Sequence, residues 1–223
     1  MMKVVYTNAQ SVLKKMDELR SYVTMNEPDV ILLTETWTNE QINDDFLKLE
    51  GYELVAREDR KDTSGGRGGG ILAFVKKEMS GWRVEEETIF NQCVHVKVKT
   101  EEGDDVSIKV VYRSPNLSRQ NDEELCRWMR TITGRTCVLG DFNFPGINWE
   151  AGRSDAKSRD FYQTCCDLFL SQHVTEATHI NGNRLDLVLS NGDDLVREVS
   201  MEGRLGHSDH EVMSILIQRD AKR

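Results

Sequence analysis

The chain has 223 residues, 38% of them hydrophobic and 30% charged, with a formal net charge of −9. That is enough for one large domain or two small ones, with a core of useful size. No apolar run approaches the roughly 20 residues that span a bilayer, and no charged-then-apolar leader opens the chain. The acidity argues against a surface coated in nucleic acid but does not exclude chemistry on it, because acid/base groups and cation ligands are themselves carboxylates. The five cysteines contain no C-x-x-C pair and read as reduced thiols of an intracellular protein.

Lys3 to Tyr6 reads as a short strand ending in Thr7-Asn8. Ser11 is placed to cap a helix that carries Leu13, Met16, Leu19 and Val23 on one face. Val30 to Leu33 is a continuous apolar run, as in a strand buried on both faces, and it leads into Thr34-Glu35-Thr36-Trp37. This strand, helix, strand order predicts a right-handed crossover between neighbouring strands. Asn39 to Glu50 is a loop with a short helix, Glu53 to Arg57 a strand, Asp59 to Gly70 a loop rich in Gly, Lys and Arg, and Ile71 to Val75 a buried strand.

Strands are also expected around Arg83 to Thr88, Val94 to Lys99 and Val106 to Tyr112, with a turn over Glu102-Gly103-Asp104-Asp105. Asp122 to Ile132 is a helix with Leu125, Trp128, Met129 and Ile132 inward. Thr136 to Leu139 is a buried strand, closed by Gly140 and followed by Asp141 and Asn143. In extended backbone those two side chains would share one side. A second long helix runs from Ser158 to Leu170, and strands follow at Leu185 to Leu189, Leu195 to Val199 and Val212 to Ile217. Many strands and few helices over the whole length suit two packed sheets with helices outside, in one domain.

Polar groups recur at strand ends, where a rigid element aims a side chain and a loop leaves it open. They are Asn8, Glu35, Tyr112 with Arg113, and Asp141 with Asn143. Asp186 sits in an apolar strand, where an unpaired charge is costly, so it needs a partner such as a histidine. Ser208-Asp209-His210 is a further polar group. Each residue alone also has a structural reading: Asn8 and Glu35 as caps, Tyr112 as a sheet aromatic, Asp141 and Asn143 as an Asx turn. All of them together would be a series of unrelated coincidences. Arg60, Lys61 and Arg67 read as part of a solvated loop, and His95, His173 and His179 as surface or core histidines.

Asn8, Leu33-Thr-Glu-Thr36, Tyr112-Arg-Ser-Pro115, Gly140-Asp-Phe-Asn143, Leu185-Asp-Leu187 and Ser208-Asp-His210 fall in an order that resembles the endonuclease/exonuclease/phosphatase superfamily. The nearest likeness is to the endonuclease domain of LINE-type (non-LTR) retrotransposons, through Thr34-Glu-Thr-Trp37, Arg67-Gly-Gly-Gly70, Gly140 to Trp149 and Leu185 to Asn191. The resemblance covers about Val4 to Ile217. It implies a deoxyribonuclease I-like fold, α/β: a four-layer sandwich of two mainly antiparallel sheets packed face to face with helices outside. It also implies a metal-dependent DNA endonuclease that nicks one strand of double-stranded DNA and leaves a 3′-hydroxyl to prime reverse transcription.

By the same resemblance, Glu35, Asn8 and Asp209 would hold Mg²⁺, for which Mn²⁺ can substitute. Asp141 would orient or deprotonate the attacking water, and Asn143 would hold a phosphate oxygen. His210, fixed by Asp186, and Tyr112 would face the scissile phosphate. Ser208, Thr178 and Arg113 are expected around the substrate, Ser208 through a supporting hydrogen bond. Residues 1–223 are then expected to be a single endonuclease domain, monomeric when isolated, cut from a longer retroelement polyprotein that also carries a reverse transcriptase. Its place of work is expected to be the nucleus, away from any membrane. The rival readings are an abasic-site repair endonuclease, a phosphoesterase acting on a lipid or inositol phosphate, and an inactive interaction domain.

Overall fold

The computed structural model describes residues 1–60, 68–100, 105–192 and 194–219. The turn expected over Glu102-Gly103-Asp104, the basic positions Lys61 and Arg67, and the charged end 220–223 lie outside the described residues. Along the chain run β1 (Met2–Asn8), α1 (Met16–Asn26), β2 (Val30–Thr34), α2 (Asp44–Leu47), β3 (Tyr52–Glu58), β4 (Ile71–Lys76), β5 (Gly81–Val84), β6 (Cys93–Val98) and β7 (Val106–Tyr112). They are followed by α3 (Arg119–Met129), β8 (Thr136–Asp141), β9 (Ile147–Asn148), β10 (Arg153–Ser154), α4 (Arg159–Asp167), β11 (Ser171–Gln172), β12 (Asp186–Ser190), β13 (Val196–Arg204) and β14 (Glu211–Ile217).

Among the described residues there are two six-stranded sheets, in the orders β13-β14-β1-β2-β4-β3 and β11-β12-β8-β7-β6-β5. In each, one central pair is parallel and the other pairings are antiparallel: β1 with β2 across α1, and β7 with β8 across α3. A parallel pair needs a crossover, and α1 and α3 supply it on the outer faces. The expected mainly antiparallel four-layer sandwich is therefore what the chain adopts.

Alternation along the strands sorts the side chains. Val4, Tyr6, Val30 and Leu32 face inward against Val94, Val96, Ile108, Val110 and Leu139 of the other sheet. Val5, Ile31 and Leu33 face outward and are covered by Met16, Leu19 and Val23 of α1. Val111, Val138, Leu187 and Leu189 are covered by Leu125 and Met129 of α3 and Phe161 of α4. Strands buried on both faces explain the continuous apolar runs. Each such side chain contributes about 1.5–3 kcal/mol by leaving water. No helix among the described residues is long and apolar enough to cross a membrane.

Two element starts differ from expectation. The first helix begins at Met16, and Ser11 has φ +73°. The Ser11 and Val12 N–H groups donate to the Glu35 and Thr36 carbonyls, at 2.8 and 3.1 Å, so this segment ties the end of β1 to the end of β2. The α3 helix begins at Arg119 because the Ser118 hydroxyl accepts the Asn121 N–H at 3.3 Å and caps it earlier than the apolar pattern shows.

Gly140 breaks the apolar run of β8 for a steric reason. Its φ is +146°, and a Cβ there would collide with the Val111 carbonyl of β7. We expect Gly140→Ala to lower stability by about 3 kcal/mol, overpacking and strain together. Urea unfolding checks this, and a change below about 0.5 kcal/mol would show that the strand pair yields freely.

Candidate active site

The four central strands end side by side. Asn8 ends β1, Thr34 ends β2 just before Glu35, Tyr112 ends β7 and Asp141 ends β8. Asn8 pairs with Thr34, Tyr112 with Asp141, and Asp141 with Asp186. His210 immediately precedes β14, the other neighbour of β1. The expected residues therefore meet where the apolar seam between the sheets runs out.

Polar side chains bridge the sheets at that edge. The Asn8 amide donates to Asp141 Oδ2 at 2.9 Å, and Asn8 Oδ1 accepts the Gln10 N–H at 3.1 Å. Asp186 is 1% exposed, and its carboxylate takes the Tyr6 hydroxyl on Oδ1 at 2.8 Å and His210 Nδ1 on Oδ2 at 2.7 Å. The Tyr112 hydroxyl donates to Glu35 Oε1. The Ser208 hydroxyl donates to the Asn8 carbonyl at 2.7 Å and accepts the His210 N–H at 3.2 Å.

These contacts set the protonation. Burial raises the Asp141 pKa, and the charges of Asp186 and Glu35 raise it further against His210 and Asn8. Asp141 is thus a carboxylate with a strong affinity for a proton, as a general base needs. Burial alone would lower His210, but the hydrogen bond and charge of Asp186, then Asp141 and Glu35, raise it to about 9. Protonated, His210 turns Nδ1–H to Asp186. Its Nε2 lies 3.9 Å from Asp141 Oδ2, too far for a hydrogen bond, so that N–H is left for a third group. Burial and the Glu35 charge push the Tyr112 phenol far up, so it stays a donor.

Backbone strain gathers at the same edge: Gln10, Ser11, Glu35, Trp37 and Asn143 all have positive φ. Non-glycine residues hold that conformation only where the surroundings over-determine it. Asn143 corrects one expectation. With φ +51° it has left the strand, and its side chain does not lie beside Asp141 on an extended face. Its N–H closes an Asx turn on Asp141 Oδ1 at 3.2 Å, and its amide gives one hydrogen to the Arg113 carbonyl at 2.9 Å.

Two residues expected at the substrate are turned inward. Arg113 is fully buried; it pairs with Asp122 at 2.6 Å, donates to the Asn143 carbonyl at 3.2 Å, and lies over the Phe144 ring at 4.0 Å. It anchors the Asn143 turn. Thr178 is also fully buried, and its hydroxyl accepts the N–H groups of Leu185 and Asp186 at 3.1 and 3.0 Å, fixing the start of β12. The aromatic extension after Asn143 is structural too: Phe144 stacks on Phe161 and Trp149 meets Tyr162 edge-on, so it seats α4.

Three residues escaped the sequence reading. Tyr6 looks like any strand aromatic, yet it holds Asp186. Lys15 donates to the Ala9 and Gln10 carbonyls, and its charge interacts with Asp209 and Glu35. His179 is bridged to His210 through the backbone, and its ring meets the His210 ring edge-on at 4.8 Å. Its Nδ1 accepts the Asn181 N–H at 3.2 Å, which leaves the proton on Nε2.

A cation test can be made on the donors. Asp141, Asp186 and His210 bring ligand atoms within 4.8 Å of one another. Both Asp186 oxygens and His210 Nδ1 are already hydrogen-bonded, so these three form a proton-handling set rather than a cage. Glu35 adds hard oxygens near enough for its charge to raise the pKa of the buried Asp141 carboxylate, which fits an oxygen-seeking divalent cation.

The profile of the Endonuclease/Exonuclease/phosphatase family matches residues 5–210. No curated protein sequence matches the chain. Among solved structures, the endonuclease domain of TRAS1, a telomere-specific non-LTR retrotransposon, is similar with a TM-score of 0.73 and 18% identity, covering 98% of both chains. An AP endonuclease from Archaeoglobus fulgidus is similar with a TM-score of 0.66 and 14% identity, covering 97% of this chain and 99% of its own. A mannosyl-6-phosphatase from Bacteroides thetaiotaomicron has a TM-score of 0.63 and 12% identity, covering 98% of this chain and 100% of its own. At these identities the likeness is one of fold.

The Asp186–His210 pair has a pH signature. His210 gains a partner on folding, so its stabilisation is complete below its ordinary pKa of 6.5 and is lost as pH rises toward 9. In EDTA, we expect stability to fall by about 3 kcal/mol between those values, and Asp186→Asn to remove most of that slope. Urea titrations across the range decide it; equal slopes in the two proteins would contradict the pairing.

Proposed function

The chain belongs to the Endonuclease/Exonuclease/phosphatase family, and on that premise we propose that it is a divalent-cation-dependent DNA endonuclease that nicks one strand of duplex DNA. The observation that carries the reading is the buried Asp141 carboxylate, with its raised proton affinity, beside a charged His210 held by Asp186. One group takes a proton while the other presents one, across a gap at the end of the seam.

The reaction is in-line attack of water on a phosphodiester. Asp141 takes the proton of the attacking water and Asn8 holds the carboxylate in place. As the P–O3′ bond breaks, its electron pair leaves with the 3′ oxygen, which gains a proton from solvent. His210 Nε2–H and the remaining Asn143 amide hydrogen donate to phosphate oxygens as charge develops on them. The Tyr112 hydroxyl, whose one hydrogen goes to Glu35 here, would be a further donor on the leaving side once Glu35 turns to the cation. Glu35, with Asp209 and Asn8, would hold Mg²⁺ or Mn²⁺, which supplies charge neutralisation at the phosphate.

The products are a 5′-phosphate and a 3′-hydroxyl, and the biological use we propose for that hydroxyl is priming reverse transcription in retrotransposition. Support comes from the Gly140 to Trp149 and Leu185 to Asn191 motifs and from the TRAS1 likeness. The reading carries with it double-stranded DNA as partner, a reverse transcriptase domain in the same polyprotein, a monomeric isolated domain and work in the nucleus.

Supercoiled plasmid tests the proposal. We expect relaxed plasmid with Mg²⁺ or Mn²⁺, none with EDTA, and a loss of at least about 10²-fold in Asp141→Ala and in His210→Ala. Equal nicking by either variant, or no nicking with any divalent cation, would overturn it. An oligonucleotide with one abasic site separates the repair reading: strong preference for that site would put it first.

A further inference from the structure

Gln92 stands just before β6, and its main chain belongs to the second sheet. Its carbonyl accepts the Tyr112 N–H at 2.9 Å, one step beyond the Cys93–Val111 pair. Its side chain crosses to the first sheet, where the carboxamide oxygen accepts the Gly70 N–H at 2.8 Å. A backbone N–H can meet only the oxygen of a carboxamide, so this amide has one orientation. Gln92 thus holds the end of β7 with its backbone and the approach to β4 with its side chain.

The approach to β4 is laced in turn to the segment that carries Glu35. The Gly70 carbonyl accepts the Thr36 N–H at 3.3 Å, and the Gly69 carbonyl accepts the Trp37 N–H at 3.0 Å. These bonds extend the contact of β2 with β4 past its last pair, Thr34 with Ile71. The close approach requires glycine. Gly69 and Gly70 have φ of +78° and +94°, and a Cβ on Gly70 would collide with the Thr36 hydroxyl. A Cβ on Gly69 would stand 3.0 Å from Gln92 Oε1. The circuit closes at the active site, where the Tyr112 hydroxyl meets Glu35. The glycine run, which the chemistry left without a role, thus carries the connection from Gln92 to Glu35.

We propose that Gln92 is a positioning residue for Glu35: its carboxamide oxygen, on the Gly70 N–H, sets where the Glu35 turn of one sheet stands against Tyr112 of the other. The inference rests on the reading above in which Glu35 holds the divalent cation. Behind this edge the sheets meet through apolar side chains, and such contacts have no preferred direction. A hydrogen bond has one, and this one acts close to a Glu35 backbone held at φ +47°. With that main chain fixed, the carboxylate can turn from the Tyr112 hydroxyl to the cation about a stationary Cα. Without the Gln92 oxygen, the bonds to Thr36 and Trp37 lose this anchor in the second sheet. A side chain that merely filled space would be replaceable by methionine, which has the same length and no oxygen.

Titration of the whole protein with Mn²⁺, without nucleic acid, reads the placement of Glu35, with free Mn²⁺ followed by its electron paramagnetic resonance signal. We expect Gln92→Met to raise the Mn²⁺ Kd about tenfold or more, the scale on which the partners of ligand residues act. Gln92→Glu keeps the acceptor and should stay within about threefold of the unaltered protein. Gln92→Asn, too short to reach Gly70, should match Gln92→Met and serves if methionine disturbs folding. Unaltered affinity in Gln92→Met or Gln92→Asn, or equal weakening in Gln92→Glu, would overturn the positioning role alone. Glu35→Gln separates the premise and should itself raise the Kd at least about tenfold. Unaltered affinity in Glu35→Gln, or no Mn²⁺ binding by the unaltered protein, would overturn the cation reading of Glu35, and the role of Gln92 with it.

Discussion

The Asp186 carboxylate is where the two sheets are joined by charge. It begins β12 in one sheet, accepts the Tyr6 hydroxyl from β1 in the other, and pairs with His210 beside β14. A carboxylate that is 1% exposed persists only because both oxygens are occupied and one partner is cationic. Removing the His210 imidazole would leave a buried charge without its counter-ion, at a cost of about 3–5 kcal/mol. The Asp186 charge in turn raises the pKa of both Asp141 and His210. Stability and reactivity are set here by one arrangement of charge.

The architecture explains why such an arrangement forms at this edge. Antiparallel strands alternate direction, so their ends scatter over both edges of a sheet. The single parallel pair in each sheet brings two C-terminal ends together, and stacking the sheets brings the four together. Asn8, Glu35, Tyr112 and Asp141 follow from that placement. The positive-φ residues are the other half of the explanation, since the chain must turn sharply after each end to keep the side chain aimed inward. The backbone bonds from Ser11 and Val12 to the Glu35 and Thr36 carbonyls hold two of these turns against each other.

Much of this was legible from residues alone. Continuous apolar runs marked strands covered on both faces, and polar groups at their ends marked the site. What failed, failed where a side chain's direction decides its role. Arg113 follows Tyr112 immediately, and only the location of Asp122 on α3 shows that the guanidinium turns away from the cleft. Thr178 sits in a polar loop, and its hydroxyl is used by two backbone N–H groups that no spacing predicts. Tyr6 and His179 were missed for the converse reason. Each has a commonplace local setting, and the contact that matters crosses from one sheet to the other or from one loop to the next.

The fold is shared by a retrotransposon endonuclease domain, an AP endonuclease and a sugar phosphatase, so the fold does not choose the substrate. The choice belongs to what flanks the seam. On one side His179 packs against His210 from the turn before β12, so a change in that turn reaches the imidazole directly. On the other, Gly68 lies against the Tyr112 hydroxyl and the Gly70 N–H is held by Gln92 Oε1 at 2.8 Å. Both flanks are built from loops, while the acid and base groups are fixed by strands. The flanking loops can therefore change without moving Asp141 or Asp186 from their strand ends, so long as Asp186 keeps both of its partners.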